Sequence, residues 1–545
     1  MNLIFKQISS DIESVLKTFE IKEKVMISLS KQPEVDYQVN TLVKHQKNEN
    51  FEQISNAVIN KLREIKYIKK CEITTNCFVN INVDSFEICQ QVTNDSKEFK
   101  SEHIEKIIID YGGPNIGKPL HVGHIRTLNL GRSLYNIHTL AGNEILSDIH
   151  LGDWGMPVAQ IIAYIIEESL EVDNITAQDL QEIYPLASKK YLENNNFKQS
   201  AQQINKELNN NNLEFVDKWE KIKNISVNNL SEIFEVLKHK FDFWYGESDV
   251  NNLIEPMLEK LKTEEKIVLD DGAYISAENS EPKILITKSD GSYLYITTDL
   301  ATVLFRQEQI GYTKALYIVD KRQSLHFNQL FSSIKFFQFN ELEHMHVAYG
   351  TVNDVSGNPF KTRDGKTKPL LELYNETLTH IKNINPDLDE INLSILTNSI
   401  LTFSDLLSNR KTDYKFDLNK FTNISGKTGL YVQYSQVRAR KLQNNFTDVK
   451  GVLSKNISES EHSFLKQLIN FGYYFEQSKE LNEPHHLANY LYDISNLFNI
   501  FYENEKLIEI KDSEKLSHKI FIINFFLKTC HQVMFCLGIE PAEEM

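Results

Sequence analysis

The chain has 545 residues, which is too long for one compact core, so two to four domains are expected. Hydrophobic residues make up 41% and charged residues 25%, as in an ordinary globular protein, and the strongest apolar run, 520–527, is too short for a membrane span. The net charge of −16 argues against a protein that binds nucleic acid over its whole surface. We also find no secretory signal, and the five cysteines lack metal-ligand spacing, so we expect a cytoplasmic protein with reduced cysteines.

The first part of the chain, residues 1–104, has the sequence pattern of a small α+β domain. Helical periodicity recurs at about 53–66, and the β-branched stretch 71–84 predicts a strand or hairpin. The charged stretch 96–103 is typical of a linker.

A different pattern begins at the apolar strand 107–110. A loop of Gly and Pro follows, then a helix closed by Gly142-Asn143, then a second strand at 145–149. This β-α-β order predicts a parallel sheet of the Rossmann type.

The rest of the chain contains both helical and strand-like sequence patterns. Strands are predicted at 282–287, 292–297 and 314–320, and almost everything after about 405 is helical. The prediction is therefore a multidomain α/β protein with the following parts: a small N-terminal α+β domain (1–104), a Rossmann-like parallel-sheet domain (105–405) with a polar helical insertion (about 170–285), and a C-terminal all-α helical bundle (406–545).

One stretch of this acidic chain, 418–447, contains five basic residues and no Asp or Glu. Such a stretch is a candidate surface for a phosphate backbone. Charge alone equally favours a solvated helix face.

The segment GGPNIGKPLHVGH (112–124) connects the first predicted strand to its helix. Free backbone N–H groups and the helix dipole make this position favourable for a phosphate. Gly123 would let a flat ligand such as adenine approach the backbone, and His121 and His124 could donate hydrogen bonds to a phosphate oxygen. The alternatives are a surface helix turn or a metal pair, although no third ligand stands out nearby.

This segment resembles the His-x-Gly-His signature of class I aminoacyl-tRNA synthetases, and PNIGKPLHVGHIRT (114–127) resembles the arginyl-tRNA synthetase form of it. Further matches to that family follow in the required order: HLGDWG (150–155), FDFWYGES (241–248), SDGSYLYITTDLA (289–301), YIVDKRQSLHFNQL (317–330), FKTRDGKT (360–367) and GLYVQYSQVRAR (429–440). The resemblance covers roughly 105–545, and residues 1–104 match in position and general character the N-terminal domain with which this family contacts the tRNA elbow. It implies an arginine–tRNA ligase that forms arginyl-adenylate from arginine and ATP and then charges its tRNA.

The resemblance also implies an arginine pocket. Tyr295 and Asp299 would hold the guanidinium, Asp110 and Asn115 would contact the α-amino group and neighbouring atoms, and Gln323 would complete the pocket. A guanidinium has only donors, so planar acceptors are what such a pocket requires. On its own sequence context, Asp299 could equally be a helix cap.

The same resemblance implies the groups that act on ATP. His121 and His124 are the catalytic histidines, and Gly123 and His326 lie near the adenosine. The mobile lysine loop is represented by Lys361, Arg363 and Lys366, which depart from the usual pattern. Lys118, just upstream of the signature, is predicted to replace the missing cation, the alternative being a solvated loop lysine.

The C-terminal helices resemble an anticodon-binding domain, in which Tyr431, Tyr434, Arg438 and Arg440 would contact tRNA. The two tyrosines could equally be core residues. Glu544 stands where the family often has an arginine.

The implied partners are tRNA(Arg), L-arginine and ATP with substrate-borne Mg²⁺; we expect no tightly bound metal, no membrane and a monomer. Two other classes are considered. A small nucleotidyltransferase can share the histidine turn, but it is usually much shorter. A non-catalytic RNA-binding paralogue would be expected to lose one of the signature residues, and all are present.

Overall fold

The computed structural model describes residues 3–32, 34–94, 104–277, 283–289, 293–360 and 367–545. It contains two compact units. The first consists of 1–100, 424–536 and 540–545, and the second of 101–423 and 537–539.

The chain begins in the first unit with an α+β arrangement. Its four-stranded sheet is antiparallel with the order β1-β2-β4-β3, and the predicted hairpin at 71–84 corresponds to the pair β3–β4. The elements are α1 (Leu3–Thr18), β1 (Ile27–Leu29), β2 (Tyr37–Val39), α2 (Phe51–Arg63), β3 (Ile68–Ile73), β4 (Val79–Val83) and α3 (Ser85–Asn94). Helix α2 presents Ile54, Val58 and Leu62 to the core at helical spacing, and all three are fully buried.

The second unit is built on a four-stranded parallel sheet with the order β10-β9-β5-β6. Its elements are β5 (Lys106–Asp110), α4 (His124–Leu140), β6 (Glu144–Asp148), α5 (Met156–Glu167), α6 (Ala177–Glu193), α7 (Asn195–Asn209), α8 (Leu213–Val236), α9 (Glu247–Thr263), β7 (Ile267–Asp270), β8 (Ala273–Ser276), α10 (Tyr295–Gln309), β9 (Lys314–Tyr317), α11 (Ser324–Phe337), β10 (Glu343–His346), β11 (Val352–Asn353), α12 (Leu370–Ile384), α13 (Glu390–Leu406), β12 (Tyr414–Lys415) and α14 (Leu418–Phe421). The β-α-β unit predicted at the start of this region is confirmed. Strand β5 is buried on both faces, as its run of isoleucines requires.

The stretch predicted to be a helical insertion, about 170–285, contains the helices α6–α9. Leu180 of α6 and Phe197 and Ile204 of α7 pack in one cluster with Ile162 of α5. Helix α9 packs instead in the cluster that contains Leu300 of α10. The insertion ends in the hairpin β7–β8, which the sequence did not indicate.

The strand predicted at 292–297 is wrong. From Tyr295 onward this stretch is the start of α10, and only isolated bridges such as Thr287–Tyr293 precede it. Aromatic and β-branched residues favoured a strand, but Ile296, Leu300 and Val303 are buried at helical spacing. Tertiary packing therefore decided the local structure.

After residue 424 the chain is all helical, as predicted: α15 (Gly429–Asn445), α16 (Glu459–Ile469), α17 (Phe471–Leu481), α18 (His485–Asn504) and α19 (Ser513–Leu537). Helix α19 is long and apolar enough to cross a membrane by length and composition, contrary to our reading of 520–527 alone. However, 67% of its most apolar window is buried inside the protein, as in the core helix of a globular unit.

The first unit contains segments from both ends of the chain, and side chains of the two segments contact each other. The buried hydroxyl of Tyr37 donates to Oδ1 of Asn470 at 2.9 Å, and Nζ of Lys466 pairs with Asp36 at 2.7 Å. The α+β arrangement and the C-terminal helices thus share one compact unit, and the second unit continues past position 405 to Asn423.

Candidate active site

The candidate site is organised by the carboxyl edge of the parallel sheet. Asp110 is paired in register with Asp148 on one side and with Tyr317 on the other, so the ends of β5, β6 and β9 meet there. Arg306 of α10, 1% exposed, donates to both carboxylates at 2.7 Å. Burial raises the pKa of Asp148, while Arg306 opposes that rise. This buried triad fixes the strand ends beside the site.

The two signature histidines lie together where the loop enters α4. Their ring centroids are 4.0 Å apart. The backbone N–H of Gly123 donates to Nδ1 of His121 at 3.1 Å, and the backbone N–H of His121 donates to Nδ1 of His124 at 3.0 Å. An Nδ1 atom that accepts a hydrogen bond carries no proton, so the ring proton of neutral His121 is on Nε2. Nδ1 of His124 also lies 3.2 Å from the carbonyl oxygen of His121, so its contacts fit either tautomer.

The surroundings also keep these imidazoles neutral. Burial, the Arg322 guanidinium and the Lys118 ammonium lower the pKa of His121. Burial, the neighbouring His121 and Lys118 lower the pKa of His124 to about 3. At neutral pH the pair can donate hydrogen bonds to a developing charge without acting as proton acids.

The structure gives a different reason for a glycine at position 123 from the one that the sequence suggested. A Cβ at this position would lie 2.9 Å from Cε1 and Nδ1 of the His121 ring. The glycine is therefore required for the ring to fold back over the helix start, independently of any ligand.

The charge of Lys118 lowers the pKa of both histidines, and its ammonium lies 4.5 Å from the centre of the Tyr184 ring. Tyr184 belongs to α6 of the insertion. The predicted catalytic cation is thus held by a cation–π contact with the insertion.

The predicted arginine ligand Asp299 lies in the first turns of α10. Its Oδ2 is 2.5 Å from Nε2 of His326, and its Oδ1 is 3.9 Å from Nε2 of His150. The hydrogen bond to Asp299 raises the pKa of His326. Asp299 is thus an acceptor with two imidazoles around it, and the structure brings it together with His326, which the sequence placed near the adenosine.

Glu247 is a second carboxylate near Asp299 that sequence reasoning missed. Burial raises its pKa to about 7; the charges of Asp153 and Asp299 add to this rise, and His150 opposes it. Glu247 begins α9 and lies within FDFWYGES, and His150 begins HLGDWG. Both motifs had been recognised, but no function had been attached to these residues. A partly buried carboxylate with a shifted pKa is a signal of a functional site.

Three of the other predicted arginine ligands are less enclosed than Asp299. Tyr295 is 74% exposed, Gln323 ends a short 3₁₀ turn and is exposed, and Asn115 is also exposed. Asp110 is largely buried and engaged with Arg306. The predicted lysine-loop residues Lys361, Arg363 and Lys366 lie outside the described residues.

Arg322 is a further cation that the sequence analysis left unassigned. Its guanidinium pairs with Asp320 at 2.8 Å, its side chain is 76% exposed, and its charge lowers the pKa of His121. The motif VDKRQSLHF contains it, although only Gln323 and His326 had been selected there.

In the first unit, the predicted tRNA-contacting residues form a row of rings and cations. The Arg438 guanidinium lies 4.1 Å from the centre of the Tyr434 ring and 4.6 Å from that of Tyr502. Tyr431 donates to Asn496 at 3.2 Å. Tyr431, Tyr434, Arg438 and Arg440 are all half-buried, which is neither a closed core nor a free surface.

The C-terminal tail packs against α15, the helix that carries Tyr431, Tyr434, Arg438 and Arg440. The Gln436 amide donates to the carbonyl of Ala542 at 2.6 Å, and Gln433 donates to that of Glu540 at 2.7 Å. Arg440 pairs with Glu543 at 3.5 Å. The acidic end of the chain therefore partly neutralises the predicted tRNA surface.

Comparison with known proteins covers nearly the whole chain. The family models "tRNA synthetases class I (R), catalytic domain", "DALR anticodon binding domain" and "Arginyl tRNA synthetase N terminal domain" match residues 87–418, 432–545 and 3–83. The arginine–tRNA ligase of Francisella tularensis subsp. novicida is 34% identical over 87% of this chain and 84% of its own length. That of Alkaliphilus oremlandii is 33% identical over the full length of both.

Solved structures give the same fold. Thermus thermophilus arginyl-tRNA synthetase aligns with a TM-score of 0.84 at 17% identity, covering 99% of this chain and 100% of its own. The enzyme from Plasmodium falciparum aligns with a TM-score of 0.82 at 22% identity over the full length of both chains.

Proposed function

The chain belongs to the arginyl-tRNA synthetase family of class I tRNA synthetases, and from that premise we propose how its own residues carry out the reaction. The activity is that of an arginine–tRNA ligase: arginine and ATP give arginyl-adenylate and pyrophosphate, and the arginyl group then passes to the 3′ end of tRNA. The observation that supports the residue assignment best is the pair of buried imidazoles at the start of α4, which backbone groups hold in contact.

In the activation step the arginine carboxylate attacks the α-phosphorus of ATP, and the bond to pyrophosphate breaks. His121 and His124 donate from Nε2 to the α-phosphate oxygens as negative charge builds there. Because both rings are already oriented by backbone N–H groups, little reorganisation is needed at that moment. Gly123 keeps the His121 ring in place.

Recognition of arginine is assigned to Asp299 and Glu247, which face a guanidinium as two acceptors. His326 and His150 orient Asp299. Tyr295, Gln323, Asn115 and Asp110 remain the proposed contacts to the rest of the amino acid. Citrulline presents an oxygen where arginine has a donor, so it would leave a carboxylate unpaired and is rejected.

Lys118 and Arg322 supply positive charge for the phosphates, together with Lys361, Arg363 and Lys366. Mg²⁺ arrives with ATP as part of the substrate, since it prefers phosphate oxygens and water to an all-protein cage. We further propose that the ligase works as a monomer in the cytoplasm.

Recognition of tRNA(Arg) is assigned to α15. Tyr434 and Tyr431 offer faces for stacking unpaired bases, and Arg438 and Arg440 offer charge for phosphates. The contact between Arg440 and Glu543 must open if Arg440 is to reach a phosphate.

The deciding experiment is arginine-dependent exchange of labelled pyrophosphate into ATP, with and without tRNA. We expect exchange that needs arginine and tRNA together, with neither citrulline nor lysine in place of arginine. Exchange with arginine alone would mean that the pocket is complete without tRNA. No exchange under either condition by the folded protein would contradict the proposed chemistry.

A further inference from the structure

A cluster of three potential metal ligands lies far along the chain from the signature motifs, in the first unit. It consists of Glu483, His485 and His486, in the turn that joins α17 to the start of α18. One side-chain donor atom from each of the three lies within 4.8 Å of the others. The sequence analysis did not single out this Glu-Pro-His-His stretch.

The orientation of the two histidines is unusual for adjacent residues. Neighbours on a helix normally point about 100° apart and do not face each other. Here the ring centroids of His485 and His486 are 4.0 Å apart. Both rings turn toward Glu483, whose Oε2 is 3.8 Å from Nδ1 of His485 and 3.6 Å from Nε2 of His486.

The backbone explains how three side chains within four positions can converge. Asn482 ends α17 in the left-handed conformation, with φ of 51°, and Pro484 caps α18. The backbone N–H of Glu483 donates to Ser478 at 3.0 Å, so the turn is closed against α17. Glu483 is thereby folded back over the first turn of α18.

The separations suit a small divalent ion better than a hydrogen bond. Both contacts to Glu483 exceed 3.5 Å, and Nε2 of His486 is buried without a hydrogen-bond partner. In a tetrahedral site with ligands at about 2.0–2.1 Å, two ligand atoms are roughly 3.4 Å apart. A buried polar atom without a partner requires an explanation, and a metal ion would supply one.

We propose that Glu483, His485 and His486 form a site for a divalent transition metal of the zinc type, with water in the remaining position. Two imidazoles and a carboxylate are a donor set that Zn²⁺ accepts readily, whereas Mg²⁺ and Ca²⁺ prefer oxygen ligands alone. The side chains of the three residues are 14%, 19% and 25% exposed, so an ion can reach them from solvent. This site departs from the sequence-based expectation of no tightly bound metal.

The metal would have a structural role. It would fix the α17–α18 turn and with it α18, whose Tyr492 packs against the Tyr431 ring and whose Tyr502 lies against the Arg438 guanidinium of α15. The proposal does not depend on the assigned chemistry of the ligase, since all three ligands belong to the first unit.

The test uses the full-length protein, stripped with a chelator and titrated with Co²⁺ in place of Zn²⁺. We expect one equivalent to give visible ligand-field bands, Zn²⁺ to displace it, and Zn²⁺ to raise the melting temperature. The Glu483→Gln and His486→Gln variants should each bind at least about 100-fold more weakly, because even changes outside the ligand shell cost about 10–100-fold. His380→Gln, which alters a half-buried histidine of the second unit, is the matched control.

Equal Co²⁺ binding by wild type and the two cluster variants would overturn the proposal. If a variant fails to fold, the wild-type protein still decides the matter. Electron paramagnetic resonance of its Cu²⁺ complex should show two coordinated imidazole nitrogens, and a spectrum with one or none would equally exclude the site.

Discussion

At the scale of single residues, Glu247 gives the sharpest pH-dependent prediction. Its pKa is raised to about 7, first by burial and then by the charges of Asp153 and Asp299. A guanidinium can pair only with the ionised carboxylate, so arginine must displace a proton that about half of these groups hold at pH 7. Arginine affinity should therefore fall as the pH drops below about 7, by up to about tenfold per pH unit, and level off above it.

Isothermal titration calorimetry in buffers of different ionisation enthalpy measures this proton directly. We expect net proton release on arginine binding at pH 7 by the wild-type protein. Glu247→Gln should bind more weakly and lose most of that release, which separates Glu247 from the nearby imidazoles. Arginine binding that releases no proton, or identical release by the variant, would contradict the assignment.

The same residues show what sequence could and could not provide. The motifs placed His121, His124 and Asp299 in one site, and the structure brings the first two into contact and pairs Asp299 with His326. The role of Gly123 could not be predicted, because it depends on the rotamer of the His121 ring. Glu247 was missed because its elevated pKa arises from burial and from Asp153 and Asp299, which are far from it in sequence and which only the fold brings near.

At the scale of elements, helix α6 of the insertion holds Lys118 through Tyr184. If Lys118 is the compensating cation, Lys118→Ala should lower pyrophosphate exchange by about 10²–10³-fold, as does loss of one charge-stabilising donor elsewhere, while arginine affinity is unchanged. Lys118→Arg should recover part of the rate because it keeps the charge.

Lys198→Ala is a matched control, because Lys198 also lies over a tyrosine ring of the insertion, that of Tyr191, at 5.8 Å. It should exchange at the wild-type rate. Stopped- or quenched-flow measurement of the first turnover separates activation from product release. Normal exchange by Lys118→Ala would leave Lys118 as a structural contact of the insertion.

Helix α15 gives a prediction about tRNA. Tyr434 stacks with the Arg438 guanidinium, and loss of the ring should remove a base-stacking face worth about 1–3 kcal/mol. Tyr434→Ala should raise the KM for tRNA by about 5–150-fold and leave exchange at saturating tRNA nearly intact. Tyr434→Phe keeps the ring and should behave like wild type; an equal defect in both variants would point to the hydroxyl and against stacking.

Local sequence predicted some helices and strands well and others poorly. The β-α-β unit and the C-terminal helices followed from periodicity, because their apolar spacing is unambiguous over many residues. The stretch 292–297 is short and rich in Tyr and Ile, and its structure from Tyr295 onward is set by packing of Ile296 and Leu300 in the core. The hairpin β7–β8 carries only partly buried strands, so its apolar signal was weak.

At the scale of the whole molecule, the sequence did not predict that the two ends of the chain form one unit. The predicted division at 104 and 405 rests on changes in the sequence pattern along the chain. The contacts that hold the first unit together join residues more than 400 positions apart, which such a pattern does not indicate. Tyr37 is the clearest example, since its side chain is fully buried and its hydroxyl meets Asn470 of the C-terminal helices.

Tyr37→Phe should therefore destabilise both ends of the chain together. It removes the donor to the buried Asn470 oxygen, at a cost of about 1–3 kcal/mol. Native-state hydrogen exchange should show faster opening in α1–β4 and in α16–α17 alike, with the parallel sheet β5–β10 unchanged. A double-mutant cycle with Asn470→Ala should give a coupling of about 0.5–3 kcal/mol. A coupling near zero, or faster exchange in the N-terminal segment alone, would mean that the two ends fold independently despite their contact.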